Sequence, residues 1–292
     1  MTHSPLRRTL LLAGSAAPLA FALRAHAADT AASSAPAVAR LAALERKAGG
    51  RLGVCALDTA NGALLGHRAD ERFPLCSTFK LMLSAAVLAR AQHEAGLLER
   101  VIRYDKRDLL DYSPITEQHV GAGMTVAALC AATLQYSDNA AANLLLKVLG
   151  GPAAVTAFAR SIGDATFRLD RWEPELNSAL PGDPRDTSTP SAMARSLRAL
   201  LVDDALPPAQ RTQLRDWLLG NTTGDKRIRA GVPAGWRVAD KTGTGARGTV
   251  NDIGALWPPE RQPVLLALFY TGGKGGDAIL ADAARIVAGA LG

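Results

Sequence analysis

The run Pro74-Leu75-Cys76-Ser77-Thr78-Phe79-Lys80, continued by Leu81-Met82-Leu83-Ser84-Ala85-Ala86-Val87-Leu88, reads from Ser77 onward as a helix that is apolar on nearly every side. Such a helix belongs inside a fold rather than on its surface. Ser77 and Lys80 interrupt the pattern, and their spacing of three puts both on one face of the first turn. A lysine there opposes the positive end of the helix dipole. Burial would also depress its pKa unless it finds partners. Two readings stay open on these residues alone: a capping serine with a snorkelling lysine, or a serine nucleophile activated by a neighbouring amine.

Around this helix the chain falls into strands at both ends and helices between. An amphipathic helix is expected over Val38–Lys47, then strands over Leu52–Asp58 and Ala63–His67 about the turn Thr59-Ala60-Asn61-Gly62. The stretch from Leu98 to Gly123 is mixed and loop-rich. Helices follow at Thr125–Leu134, Asp138–Leu149, Ala153–Ile162, Ser191–Leu201 and Pro208–Leu219. Strands return near Trp236–Lys241, Thr249–Trp257 and Pro263–Tyr270, before a last helix at Gly276–Leu291. The predicted fold is therefore α/β (α+β). A mainly antiparallel sheet from both chain ends is flanked by the terminal helices, and an all-helical lobe holds the middle. Residues 38–68 and 221–292 would form the first lobe and 69–220 the second, with the active site in the cleft between them.

Residues 168 to 190 stand apart. Pro174, Pro181, Pro184 and Pro190 punctuate about 20 residues without periodicity, a length that marks a functional loop in a compact domain. Trp172, Leu176 and Leu180 give it apolar side chains to tuck underneath, as in a packed Ω-loop.

The bulk properties exclude several classes. The formal charge of +6 overstates the folded part. Residues 1–27 carry Arg7, Arg8 and Arg24 with no acid, leaving 30 basic against 27 acidic side chains, a net of +3. Those basic residues form no aromatic-basic stripe, so nucleic acid is not an expected partner. Arg7-Arg8, the apolar run Leu10–Leu23 and the small-x-small site Ala25-His26-Ala27 read as an export signal cleaved near Ala27. The twin-arginine route and ordinary secretion both fit. The run is too short for a membrane span, and no cysteine lies near the cleavage point to take a lipid anchor. A soluble periplasmic or secreted monomer is expected. Export permits disulfides, but with Cys55, Cys76 and Cys130 alone at least one thiol stays free. His3, His26, His67, His93 and His119 show no ligand spacing, so no metal is expected.

Three further polar signatures fall where chemistry would want them. Ser137-Asp138-Asn139 stands at a helix start, where all three residue types also serve as caps. Glu173, between Trp172 and Pro174 on the loop, is followed four residues on by Asn177. Lys241-Thr242-Gly243 is expected to end a strand, with Gly243 allowing a close backbone approach. Each is weak alone. Taken in order, Ser77-Thr78-Phe79-Lys80, Ser137-Asp138-Asn139, Arg171-Trp172-Glu173-Pro174-Glu175-Leu176-Asn177 and Lys241-Thr242-Gly243-Thr244-Gly245 resemble the serine β-lactamases of class A. Asn221-Thr222-Thr223-Gly224-Asp225-Lys226-Arg227 and Asn251-Asp252-Ile253-Gly254 extend the resemblance, which covers essentially all of the chain after the signal.

The resemblance implies a role for each residue. Ser77 would attack a β-lactam carbonyl, with the backbone N–H groups of Ser77 and Thr244 as the oxyanion hole. Lys80, or Glu173 through a water, would take its proton. Ser137 would protonate the lactam nitrogen, and Glu173 with Asn177 would hold and activate the deacylating water. Lys241, Thr242 and Arg227 would receive the substrate carboxylate. Asn139 and the backbone near Thr244 would grip the side-chain amide, and Tyr112 would form an apolar wall. No cofactor is implied. The resemblance further suggests an Arg171–Asp186 pair at the loop neck and a cis Glu173–Pro174 bond.

Related transpeptidases and carboxypeptidases lack the loop carboxylate, so Glu173 favours turnover over a persistent adduct. The position that would bridge to Cys130 in many members is Ser84 here. A carbapenem-hydrolysing subgroup joins the cysteine before its nucleophile to one after K-T-G, and Cys76 instead would face Gly245. Penicillins and cephalosporins are therefore the expected substrates. The acidic residue that some relatives carry near Ala246-Arg247-Gly248 is also missing, which bears on preference among oxyimino cephalosporins.

Overall fold

The strands expected at the two ends of the chain meet in one sheet. A computed structural model describes residues 35–291; the export segment expected at 1–27 lies outside the described residues. Strand β1 (Arg51–Asp58) pairs antiparallel with β2 (Leu64–His67) on one side and with β9 (Val264–Thr271) on the other. Strands β8 (Thr249–Trp257) and β7 (Arg237–Gly245) complete the order β2-β1-β9-β8-β7. The register from Arg51↔Thr271 to Asp58↔Val264 joins the two ends of the chain along the whole of β1.

Both faces of this sheet are covered, which is why its central strands are apolar almost throughout. Leu52, Val54 and Ala56 with Leu266, Leu268 and Tyr270 pack against Leu41 of helix α1 (residues 35–48) and Ile279, Leu280 and Ala283 of helix α9 (Gly276–Leu291). On the other face Leu57, Leu265, Ala267 and Phe269 enter a larger core with Phe79, Leu81 and Leu83 of helix α2 (Phe79–Ala91). Every side chain from Phe79 to Leu88 is buried. Helices α3 (Val126–Gln135), α4 (Asn139–Leu149), α5 (Pro152–Ser161) and α7 (Pro208–Leu219) pack around it. Each leucine so enclosed stabilises the fold by about 1.5–3 kcal/mol. Helix α6 (Pro190–Leu201) lies against β1, β8 and β9, and the short α8 (Ile228–Gly231) lies against α9.

Three expectations need correction. The helix predicted from Ser77 opens as a 3₁₀ turn, Cys76–Thr78, before α2 begins at Phe79. Strand β7 does not end at Lys241-Thr242-Gly243 but continues to Gly245, paired with β8 from Gly243↔Asn251 to Gly245↔Thr249. Glycines and threonines read as a strand end in sequence, yet pairing on β8 keeps the backbone extended. Leu180 does not tuck under the loop: it is 41% exposed, whereas Leu176 is buried and Trp172 packs against the core.

Candidate active site

The nucleophile turn is held by backbone contacts on both sides. The short strand β3 (Phe73–Pro74) pairs with β6 (Thr187–Ser188) at the end of the loop, and Leu75 N donates to Asp186 O at 2.8 Å. From the sheet side, Asn251 Nδ2 donates to Pro74 O at 2.8 Å and Leu75 O at 2.9 Å. Cys76 adopts φ 45°, a left-handed conformation that costs a non-glycine residue on the order of 1 kcal/mol or more and gathers at functional sites. A Cβ on Gly243 would stand 2.9 Å from Leu75 O, so glycine there lets β7 run directly against the turn.

Lys80 is fully enclosed, and its ammonium is surrounded by acceptors. It donates to Ser137 O and Asn139 Oδ1 at 2.7 Å each and pairs with Glu173 Oε1 at 3.0 Å. Burial pushes its pKa below the usual lysine range, while the Glu173 charge pulls the other way. Lys241 is equally buried, and its pKa lies well below the ordinary value through burial and then the nearby Lys80 charge. The Ser137 hydroxyl sits between the two amines, 3.1 Å from Lys241 Nζ and 3.4 Å from Lys80 Nζ. Ser137 also has a left-handed backbone, φ 60°, at the entrance to α4.

The helix-start triplet divides its labour. Asp138 caps α4 through Ala141 N and fastens the 113–116 turn by accepting from Ile115 N, Thr116 N and the Thr116 hydroxyl. Its neighbours Ser137 and Asn139 face Lys80. The capping role expected of this triplet thus falls to Asp138.

Glu173 reaches this cluster from the loop. Its carboxylate is buried; Oε1 lies 3.0 Å from Lys80 Nζ and accepts from Ser77 Oγ at 3.5 Å, and Oε2 accepts from Asn177 Nδ2 at 2.5 Å. Asn177 Oδ1 is buried and has no protein partner among the described residues. Arg171 Nε donates to Asp186 Oδ2 at 2.5 Å, closing the loop neck as expected, and the Glu173–Pro174 bond is cis. A residue the sequence analysis missed fixes the carboxylate's backbone: the Asn143 amide donates to Glu173 O at 2.9 Å and accepts from Glu173 N at 3.0 Å. Its only sequence signal is an amide in the otherwise apolar run after Asn139, four residues on and so on the same helical face.

The remaining expected residues line β7 and the rim. Thr242 Oγ1 lies 2.5 Å from Thr223 Oγ1. Arg227 does not stand open as a cation for a ligand. It donates to Gly243 O, Asn251 O, Asp277 Oδ1 and Thr244 Oγ1, all within 2.8 Å, so it acts from behind Thr244. Asn139 Nδ2 donates to Asp111 O at 2.9 Å, leaving one amide hydrogen for a ligand. Tyr112 is 61% exposed, and its carbonyl accepts from Asn139 N.

Beneath β7 two carboxyl groups, Asp240 and Asp252, are buried against each other. Burial raises both pKa values, that of Asp252 well above the ordinary range; Asp240 is paired with Arg229 at 2.7 Å, whereas Asp252 Oδ1 has no hydrogen-bond partner among the described residues. All three cysteines are buried and free. Burial, followed by the Glu173 charge, pushes the Cys76 thiol up to about 12, as befits an inert group. Its Sγ would lie 2.5 Å from a Cβ on Gly245, so this thiol faces the residue expected; the buried Ser84 hydroxyl has no hydrogen-bond partner among the described residues.

Known proteins with this arrangement are numerous. The model of the β-lactamase enzyme family matches residues 36–291. A carbapenem-hydrolyzing β-lactamase KPC of Klebsiella oxytoca is 58% identical over 256 residues, 86% of this chain and 87% of that protein. The β-lactamase CTX-M-8 of Citrobacter amalonaticus is 54% identical over 252 residues, 85% and 87% of the two chains. Among solved structures, the reconstructed last common ancestor of Gram-negative class A β-lactamases superposes with a TM-score of 0.87 at 61% identity, covering 88% of this chain and all of that one. A β-lactamase from Desulfarculus baarsii gives 0.87 at 56% identity, covering 89% and 98%. With the family model spanning nearly every described residue and relatives this similar over most of their length, the chain belongs to the class A serine β-lactamase family.

Proposed function

We propose that this protein hydrolyses penicillins and cephalosporins through an ester on Ser77, protecting its host from β-lactams, and that it acts after export as a monomer without cofactor or membrane anchor. Ser77 Oγ attacks the lactam carbonyl while its proton passes, through a water, to Glu173. The backbone N–H groups of Ser77 and Thr244 receive the oxyanion, a contribution of about 3–4 kcal/mol each. As the C–N bond breaks, Ser137 Oγ hands its proton to the lactam nitrogen and is reprotonated by Lys80, which takes a proton back from Glu173, 3.0 Å away, so that the carboxylate is ionised again before hydrolysis. Glu173 then takes a proton from a water held with Asn177. That water attacks the ester carbonyl, and Ser77 leaves with the proton returned. Thr242, Lys241 and the Thr244 hydroxyl, braced by Arg227, receive the substrate carboxylate. Asn139 meets the side-chain amide, and Tyr112 walls the rim.

The observation that carries this reading is the Glu173 carboxylate, 3.5 Å from Ser77 Oγ with its other oxygen tied to Asn177. The same contact favours Glu173 over Lys80 as the acylation base, because the hydrogens of Lys80 are spent on Ser137 O, Asn139 and Glu173. The unpartnered Asn177 Oδ1 is an acceptor suited to the deacylating water. Carbapenems are left out of the proposed range, because Cys76 is a free thiol facing a glycine. The test is steady-state turnover of a chromogenic cephalosporin with intact-mass detection. Wild type should cycle, and Glu173→Ala should stop with one acyl group on Ser77. Wild type stopping after one equivalent would overturn the hydrolase and leave a cell-wall D,D-carboxypeptidase or a β-lactam sensor.

A further inference from the structure

A second cavity, of about 760 Å³, opens where the edge pair β1–β2 parts from α6 and the 162–166 turn. It shares no residue with the site above, and it falls in the range of roughly 300–1,000 Å³ typical of sites for small organic ligands. Its apolar floor follows from strand register. Leu57 pairs with Leu64 and Cys55 with Gly66, and directly paired residues lie on one face of a sheet. The wall opposite is lined by Ala192 and Ala199 of α6, small residues that leave the floor uncovered. Leu64, on the floor, is 61% exposed.

The charges around the rim separate into those paired within the protein and those left to solvent. Asp164 accepts from Ser196 Oγ and from Thr166 N and Phe167 N, and Arg198 pairs with Asp203. Two charges remain. Asp70 accepts only from Ser191 Oγ and has no cation partner among the described residues. The Arg195 guanidinium has neither a hydrogen bond nor an ion pair among them. Ser191, which holds Asp70, and Arg195 are four residues apart on α6, which brings both charges to the same side of that helix.

We propose that this cavity binds a small zwitterion with apolar side chains, of the class of a short apolar peptide. Its ammonium would meet Asp70, its carboxylate Arg195, and its side chains Leu57 and Leu64. A simple anion or cation would satisfy one rim charge and leave the other unmatched, whereas a free dipeptide carries one charge of each sign and can meet both.

The probe is L-leucyl-L-leucine, with its N-acetyl and C-terminal amide forms, titrated against the whole protein and followed by amide NMR shifts. Saturable binding is expected with Kd on the order of 1 mM or tighter, and with shifts at Gly66, Ala165, Ala192 and Ala199. Arg195→Gln should weaken the free dipeptide about tenfold while leaving the amide form unaffected. Asp70→Asn should do the same for the free dipeptide and spare the N-acetyl form, tenfold being the scale of one charge-assisted hydrogen bond. Cephalosporin turnover should not change in either variant. The proposal is overturned by no saturation at about ten times that concentration, by shifts confined to Ser77, Ser137 and Thr244, or by both variants weakening all three ligands alike.

Discussion

The turn that carries Ser77 and the loop that carries Glu173 arrive at the same place by different means. Behind Ser77 stands α2, enclosed on every side by side chains from the sheet and four helices. Its position is a packing result, spread over many contacts and insensitive to any one of them. Glu173 has no such backing. It sits on a segment with few apolar anchors, held by the Arg171–Asp186 pair at the neck, the Asn143 amide on its own peptide and Asn177 on its carboxylate. Polar staples are directional and few, so they place a group accurately but fail singly. The two partners of the proposed reaction therefore inherit different fragilities: the place of the nucleophile rests on the core, and the place of the base on a handful of hydrogen bonds.

Substitutions separate those halves. Ser77→Gly should produce the largest loss, on the order of 10⁶ in kcat as for other serine hydrolases stripped of their nucleophile, with no adduct by intact mass. An adduct at another residue would contradict the assignment. Arg171→Ala leaves the Asp186 carboxylate buried beside two backbone donors and without its cation, at a cost of about 3 kcal/mol. Limited proteolysis should then cut within 174–184 while the α2 core stays protected, and equal protection of both regions would mean the neck is not what holds the loop. Asn143→Ala removes two hydrogen bonds from the Glu173 peptide. Acylation and deacylation should both slow, deacylation by about tenfold or more, and unchanged rates in both steps would argue against a role for this staple.

The smallest effect concerns the carboxyl pair beneath β7. The Asp252 pKa is raised in the folded state, so its contribution to stability is fully present below the ordinary carboxylate value, near 3.8, and is lost as pH rises through the raised one. Asp252→Asn keeps an acceptor for Ile228 N without a titrating proton. The melting temperature of the variant should gain on wild type as pH climbs, and parallel curves would show that Asp252 does not titrate with a raised pKa in the folded protein.

The staples were mostly invisible in the sequence because each joins residues far apart along the chain. Asn143 and Glu173 are thirty positions apart, and an amide in a helix has no local mark of what it will hold. Arg227 illustrates the converse. Its charge was legible and its destination was not: the guanidinium is consumed by β7, β8 and Asp277 before it reaches any ligand. Lys241-Thr242-Gly243 looked like a strand end because extended pairing beyond it depends on a partner, β8, that local propensity does not report.

What the sequence determined by itself was the set of elements and the chemistry they carry. Periodicity is local, so the buried helix, the end strands and the helical middle could be read directly. The ordered motifs pointed to serine, lysine, glutamate and a second serine as one group, and the structure brings them together. Only the tertiary structure decided how those groups meet: which oxygen of Glu173 faces Ser77, that Ser137 lies between two buried amines, and that Arg227 works from behind Thr244. Distances between side chains on different elements follow from packing and long-range pairing, and no window of sequence contains them.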